Sequence, residues 1–478
     1  MKQYETVIGL EVHVELASRT KIFCGCSTAF GGRPNAHTCP VCTGMPGALP
    51  VLNRQVVEYA IAIGLATGCR IAKNSKFDRK NYFYPDNPQN YQISQLYAPI
   101  CTEGAIRIET ATGEKDIRIH EMHLEEDAGK LIHEEGEDCS LIDYNRSGVP
   151  LVEIVSEPDL RTAEEVIAYL EKLRLILQYL GASDCKLQEG SMRADVNLSV
   201  REVGTTALGT RTEMKNLNSF KAIARAIAGE RSRQIELLES GRPVLLETRR
   251  WDDNKEDSYP MRSKEDARDY RYFPEPDLMP LCIEDAWIAR IRAKQPELRD
   301  AKRKRYCEEY GLPAYDADLL TSSKRMTEIF EETVALGRKP KEVSNWLMVE
   351  AMRLLKETET DPEELTLKPE RLAALIGLVA DGAINRTVAK EVFEALFRED
   401  ADPVAYVEEK GLRMVSDDGL LEEIAERVLA ENSKLVADYK NGREKVFGFL
   451  VGQAMKECRG KADPSKVNAA LKKKLSEL

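Results

Sequence analysis

Residues Val7 to Leu16 alternate strictly, with Leu10, Val12, Val14 and Leu16 on one side and Glu11, His13 and Glu15 on the other. A period of two sends the two sets to opposite faces of a β-strand. Such a strand is stable only in a sheet with one apolar face and one charged face. The same pattern returns further along the chain. A hairpin expected over Ala105–Leu124, turning near Thr112-Gly113, sends Glu121, His123 and Glu125 to one face of its second arm. In Met192–Arg201, Ala194, Val196, Leu198 and Val200 oppose Arg193, Asp195, Asn197 and Ser199. Arg211, Glu213 and Lys215 share another face. Finally, the turn Asn145-Arg146-Ser147-Gly148 delivers an apolar run, Val149 to Val155, that carries one carboxylate, Glu153. A carboxylate in a buried-strand pattern costs several kcal/mol unless it is paired or bound to a metal, so Glu153 is a candidate for chemistry.

Helical patterns interrupt these strands at Asn53–Thr67, Ala163–Leu180 and Lys221–Ser240, the last ended by Gly241. Beyond about residue 295 the strand signal fades into helices broken at Pro313, Pro340 and Gly382. At 478 residues the chain is too long for one ordinary core. The expected organisation is α+β: a mixed α/β domain over residues 1–293, a helical linker domain over 294–403 and a helical tail domain over 404–478.

The net charge of −12 argues against a generic nucleic-acid binder. The tail departs from it, with ten Lys/Arg against four acids from Lys440 onward. That local excess suits a polyanion or, equally, a solvated helical face. No signal peptide and no run of about 18 apolar residues is present, so a cytoplasmic chain with no membrane contact and reduced cysteines is expected.

Four of the eleven cysteines form Cys24-Gly25-Cys26 and Cys39-Pro40-Val41-Cys42, on loop-like segments rich in Gly and Pro. Two short knuckles of thiolates suit a closed, structural, tetrahedral Zn²⁺ site, in which His37 could replace one thiol. The alternatives are free thiols or a redox pair. The acids make a second set. Glu11, His13, Glu125, Glu126, Glu153, Asp195 and Glu213 all lie on or beside the alternating strands. If those strands share a sheet, the acids repel unless cations sit between them. Oxygen ligands with a single imidazole suit Mg²⁺ or Mn²⁺. Lys80, Arg146, Arg193 and Lys215 add cations, as in a site for a nucleoside triphosphate. A third cluster, Tyr82, Tyr84 and Tyr91 among Asp, Asn and Gln, could hold a ribose or base by stacking and hydrogen bonds, or could be a packed loop. No Walker phosphate loop, nucleophile elbow or dinucleotide fingerprint occurs.

Several blocks carry a resemblance: ETVIGLEVHVEL, PNAHTCPVCTGMPGALPVLN, KFDRKNYFYPDNPQNYQISQ, HLEEDAGK, DYNRSGVPLVEIVSEPDLR, EGSMRADVNLS, EMKNLNSFK, ETRRWDD, DYRYFPEPDL and the tail DYKNGREKVFGFLVGQAMKECRGKADP. Together they resemble the B subunit of the bacterial aspartyl/glutamyl-tRNA(Asn/Gln) amidotransferase over essentially the whole chain. The resemblance implies a complex with an amidase-type A subunit and a small C subunit. It also implies binding of misacylated tRNA, Glu-tRNA(Gln) or Asp-tRNA(Asn), and use of ATP and Mg²⁺ to phosphorylate the esterified side-chain carboxylate. Ammonia released from glutamine by the A subunit would then displace phosphate. The family's magnesium positions fall on Glu11, His13, Glu125 or Glu126, and Glu153, with Asp195 and Glu213 close by. Strand parity favours Glu125 over Glu126, and a bulge would reverse that. The N-terminal domain is expected to resemble the glutamine synthetase/guanido kinase core. The tail is expected to contact tRNA, with Lys445, Lys456, Arg459 and Lys461 as candidates. Two other readings remain: a non-catalytic tRNA-binding scaffold, and a free-standing metal-dependent hydrolase, which five histidines serve poorly.

Overall fold

The structure, a computed structural model, describes residues 2–133, 138–263, 270–414, 418–440, 443, 445–458, 462 and 464–477. It divides into two compact units, residues 1–298 and 299–478.

The described residues of the first unit form sixteen strands: β1 Tyr4–Glu15, β2 Arg70–Ile71, β3 Asn74–Ser75, β4 Asp78–Asn81, β5 Tyr91–Ser94, β6 Cys101–Thr110, β7 Gly113–Glu126, β8 Lys130–His133, β9 Ser140–Asp143, β10 Pro150–Ser156, β11 Met192–Glu202, β12 Thr212–Lys215, β13 Glu247–Asp252, β14 Asp257–Ser263, β15 Phe273–Pro274 and β16 Leu281–Cys282. Nine form one sheet in the order β14-β13-β12-β11-β1-β10-β7-β6-β2. Every pairing in it is antiparallel except β12 with β13. The alternating N-terminal strand thus lies at the centre of the sheet. Its even-numbered residues Ile8, Leu10, Val12 and Val14 are fully buried.

Helices α1 Arg54–Ala66, α2 Ala163–Tyr179 and α3 Phe220–Glu239 share one apolar core with that face of the sheet. Each starts where a side-chain oxygen accepts an otherwise unpaired N–H: Asn53 from Gln55, Thr162 from Glu165, Ser219 from Ala222. A fourth helix, α4 Asp285–Ala293, packs on α1. The opposite face of the sheet carries the charged residues. The small sheet β15-β4-β5 sets Lys80 and Tyr82 at the rim of a cavity on that face.

In the second unit, helices from Arg299–Glu308 to Pro403–Glu409 enclose a core around Tyr306, Phe330 and Phe393, which Val407 and Leu412 help to close. A separate core runs from Leu421 to Leu475 on the last four helices. The residues just after 403 therefore pack with the preceding helices, and the tail's own core starts at Leu421. No described helix is long and apolar enough to cross a membrane.

Because β1 is central, its two faces have opposite sensitivities. Leu10→Ala is expected to lower the unfolding free energy of this unit by about 2–5 kcal/mol. Glu11→Gln, one residue away on the other face, is expected to change it by less than about 1 kcal/mol. Urea unfolding followed by tryptophan fluorescence checks both, with an unchanged m-value for each.

Candidate active site and metal centres

The register fixes which side chains meet. Across the open face, Glu11 faces Val155 on β10 and Asp195 on β11, while His13 faces Glu153 and Arg193. Glu153 in turn faces His123 on β7, and Leu151 faces Glu125. On the other side, Asn197 faces Glu213 on β12. Residues from five stretches of sequence thus form one patch.

Its centre is His13, Glu125 and Glu153. The His13 Nε2 lies 3.2 Å from Glu153 and 3.5 Å from Glu125. His123 completes the group, with Nε2 3.0 Å from Glu153 and Nδ1 3.4 Å from Glu121. Burial disfavours the charge on Glu153, but His123 and His13 outweigh it and hold the carboxyl well below its ordinary range. Burial likewise opposes the His123 imidazolium, yet Glu153, Glu121 and Glu125 push it up to about 10. One ligand atom each from His13, Glu125 and Glu153 lies within 4.8 Å of the others, a spacing one metal ion can bridge.

In a second group, one ligand atom each from Glu11, Asp195 and Glu213 also lies within 4.8 Å of the others. Lys215 sits among these acids, with Nζ 2.5 Å from Asp195 and 2.8 Å from Glu213. Burial opposes its charge, and the two acids more than restore it. Asn197 donates to Glu11 at 2.9 Å. Burial, then Glu153 and Glu213, raise the Glu11 carboxyl above its ordinary range.

A cavity of about 450 Å³ opens between His13, Glu125, Lys80, Tyr82, Arg193 and Lys215. It shares Arg193 and Asp195 with a neighbouring cavity of about 900 Å³ that also reaches Arg146. Asp127 ties the two cations: Arg193 donates to it at 3.0 Å and Arg146 approaches it at 3.4 Å. Burial lowers the basicity of Lys80, but Glu125 and Glu153 overcome this and raise it.

Three sequence candidates are not brought to this patch. The Glu126 side chain turns the other way, where its Oε1 accepts from Gln89 Nε2 at 2.6 Å and from the Ile93 N–H at 3.0 Å. It lines a separate cavity of about 430 Å³. No bulge falls at the end of β7, so Glu125 keeps the parity of His123 and faces the patch. Tyr91 lines that other cavity, its ring 4.0 Å from the Arg79 guanidinium. Tyr84 is half exposed on the loop before β5.

His123 and Asp127 were absent from the sequence candidates. His123 had a signal, because it shares parity with Glu125. Asp127 lies one residue past the strand end, and only the tertiary pairing reveals it.

The Sγ atoms of Cys24, Cys26, Cys39 and Cys42 converge within 4.8 Å of one another. The hydrogen bond with Cys24, with buried Lys21 assisting, lowers the Cys42 thiol to about 4, against burial. His37 is not among the four; its ring packs over Gly32, where a Cβ would approach to 2.7 Å. Four thiols at this spacing fit tetrahedral zinc. In the tail, Lys445 and Lys456 are exposed on the helix Lys445–Glu457, while Arg459 and Lys461 lie outside the described residues.

The model of a family described as the GatB/GatE catalytic domain matches residues 6–289, and that of a GatB domain matches residues 328–475. The chain belongs to the GatB family. Among curated relatives, a protein of Lachnoclostridium phytofermentans is 67% identical over 477 residues, covering 100% of both chains. One from Agathobacter rectalis is 68% identical over 471 residues, 98% of this chain and 99% of its own. One from Caldicellulosiruptor bescii is 57% identical over 479 residues, the full length of both. All three carry the name of the B subunit of the aspartyl/glutamyl-tRNA(Asn/Gln) amidotransferase.

Glu126, in its separate cavity, supplies a test of what burial does to a carboxyl here. Burial, against the Ile93 hydrogen bond, raises its carboxyl to about 8 from a model-compound value of 4.5. An acid whose folded value is raised binds more protons folded than unfolded, so stability falls as pH rises between those two values. Glu126→Gln abolishes that loss. The stability difference between variant and wild type should therefore shift in the variant's favour from about pH 5 to about pH 8 and level off above. Urea midpoints across that range check it; a pH-independent difference would contradict the raised value.

Proposed function

We propose that this chain is the subunit of a tRNA-dependent amidotransferase that activates the side-chain carboxylate of Glu-tRNA(Gln) or Asp-tRNA(Asn) and converts it to the amide. The observation that carries this reading is the pairing of two acid clusters on one open sheet face, ringed by Lys80, Arg193 and Lys215. A carboxylate is a poor acyl donor. Attack of its oxygen on the γ-phosphorus of ATP breaks the bond to the β-phosphate, releases ADP and leaves an acyl phosphate. Ammonia then attacks the acyl carbon, inorganic phosphate departs with the C–O bond electrons, and the amide nitrogen loses a proton. Little covalent help is needed from the protein; positioning and charge neutralisation dominate.

The residues present fit that task. Glu153, kept ionised by two histidines, would hold Mg²⁺ with His13 and Glu125, while Glu11, Asp195 and Glu213 offer a second set of oxygens. Such a cation screens phosphate charge when bound. Lys80, Arg193 and Lys215 carry fixed positive charge to the same cavity. Tyr82 gives it an aromatic wall. A charged sheet face that activates a carboxyl or guanidino group with ATP is also the plan of the glutamine synthetase/guanido kinase core, and we take this domain to be of that kind. The four cysteines would hold structural zinc.

Nothing in the acid face suggests a glutaminase, so ammonia is assigned to an amidase-type A subunit that releases it from glutamine, with a small C subunit completing the assembly. In this reading the chain belongs to a ligase that forms carbon–nitrogen bonds with glutamine as donor. The tail is assigned to tRNA through Lys445 and Lys456. Arg459 and Lys461 join them as sequence candidates.

The complex with its partner subunits, given ATP, Mg²⁺ and ammonium, should form ADP only with Glu-tRNA(Gln) or Asp-tRNA(Asn), not with uncharged tRNA. Glu153→Gln should lower both ADP and amide formation by about 10² or more while tRNA affinity stays within about twofold. Tight tRNA binding by the wild type without any ADP release would leave only the scaffold. For the tail, the double variant Lys445→Ala/Lys456→Ala should weaken tRNA binding and reduce the slope of log affinity against log salt by about one to two. Filter binding between low and moderate salt reads both.

A further inference from the structure

The cysteine knuckle is joined to the sequence 142–148 by a ladder of hydrogen bonds that the proposed reaction does not use. The Asn35 side chain accepts from the Tyr144 N–H at 2.8 Å and donates to the Ile142 carbonyl at 2.9 Å. Its own N–H donates to Asp143 at 2.9 Å. Asn35 sits at φ +57°, a left-handed conformation that asparagine tolerates better than most residues. Asn145 repeats the arrangement in reverse. It accepts from the His37 N–H at 2.8 Å and donates to the Arg33 carbonyl at 2.7 Å. The Ser147 hydroxyl donates to the carbonyl of Cys42 at 3.0 Å, and the Ile22 N–H donates to Gly148 at 2.9 Å.

Lys21 closes the ladder. It is fully buried, and its ammonium reaches the Cys42 sulfur at 3.4 Å and the Tyr144 carbonyl at 3.1 Å. A buried ammonium is costly unless compensated. Four thiolates around Zn²⁺ leave net negative charge, and Lys21 stands where that charge needs an answer.

The turn held in this way carries Arg146. Its guanidinium donates to the carbonyls of Ala128 and Gly129 at 3.0 and 2.9 Å. The Gly148 N–H donates to the Asp127 carbonyl, and the Asp127 N–H to that of Val149. Asp127 then holds Arg193 at 3.0 Å, on the wall of the cavity next to His13. One residue further, Pro150 opens the strand that presents Glu153.

We infer that the zinc knuckle is a positioning device for the catalytic face: closing the four-cysteine site locks residues 142–148, and through Arg146 and Asp127 fixes Arg193 and the start of β10. Lys21, Asn35 and Asn145 are positioning residues in this device. The inference rests on the proposed activity only for its kinetic readout.

Hydrogen exchange on the intact complex decides it, with zinc present and after removal by a chelator, for wild type, Asn145→Ala and Asn145→Asp. Zinc removal should speed exchange in peptides spanning 142–149 and 127–129 by about tenfold or more, and leave the central strand β1 protected. Asn145→Ala should do the same while keeping its full zinc content by metal analysis. It should also lower kcat for ammonium-dependent amidation about tenfold, with KM for ATP within about twofold. Asn145→Asp, which keeps the acceptor for His37, should recover most of both losses. Chelation should add little to Asn145→Ala, because both break one linkage. Unchanged exchange at 142–149 without zinc would overturn the inference, as would faster exchange with undiminished kcat. If the wild-type complex makes no amide, the proposed function fails, while the exchange pattern at 127–129 still decides the linkage.

Discussion

The structure depends on the exclusion of one side of β1 from water. Burying Leu10, Val12 and Val14 contributes about 1.5–3 kcal/mol for each larger side chain. A slip of one residue would exchange them for Glu11, His13 and Glu15, and bury charge at a cost of several kcal/mol. The register is therefore locked by the core, and the register is what places Glu11 opposite Asp195 and His13 opposite Glu153. The geometry of the acid patch is thus set by apolar packing on the far side of the sheet. The charged groups need contribute nothing to folding in order to be held in place.

What the packing fixes, the electrostatics must tolerate. Two charges 4 Å apart interact by about 4 kcal/mol at the effective dielectric of a protein surface. The patch offsets this locally: Glu153 lies between two imidazoles, Asp195 and Glu213 share Lys215, and Asp127 faces two guanidiniums. Glu11 is met by a neutral amide and, further off, by Lys215, and burial with Glu153 and Glu213 still raises its carboxyl above the ordinary range. In the proposed reaction the same arrangement would make divalent-cation binding a proton-linked event. Imidazole ligates only when neutral, while the neighbouring carboxylates hold His13 in its protonated form more strongly than usual. A cation entering among these acids would neutralise the same carboxylates that now raise the basicity of His13.

Much of this was legible in the sequence because period two maps directly onto a sheet face. Glu11, His13, Asp195, Glu213 and Lys215 are legible by parity and Glu153 as the one carboxylate in an apolar run, and the structure brings them together. The four cysteines were found by spacing, and their sulfurs converge. Parity also separates Glu125 from Glu126, since the register irregularity of β7 lies back near Ile119–Glu121 and adjacent residues beyond it point to opposite faces. The failures share a cause. Tyr84 and Tyr91 lie on a loop and a short strand, where no periodicity says which way a ring points, and Tyr91 is drawn to Arg79 instead. Asp127 lies past the end of its strand, and the partners that give it meaning, Arg146 and Arg193, are 19 and 66 residues away. The knuckle's ladder to residues 142–148 was invisible because its two halves are about a hundred residues apart and are made largely by side-chain amides.

The distribution of charge bears on how an acidic chain could handle a polyanion. A net charge of −12 and an acid-rich sheet face disfavour phosphate at long range, and screening limits that penalty to about 10 Å at ordinary salt. In the proposed reaction, affinity for tRNA then has to come from elsewhere. The tail, with ten basic residues against four acids, is the segment whose sign suits it. Yet Lys473 and Lys474 are already engaged with Glu422 and Glu426, so the tail's excess is partly taken up by its own fold. Lys445 and Lys456 are eleven residues apart on one helix, close to three full turns, which puts both on the same side. That division separates holding the polyanion from reacting with its end. The acid face can then be tuned for cations and a single carboxylate, without having to attract the nucleic acid that carries it.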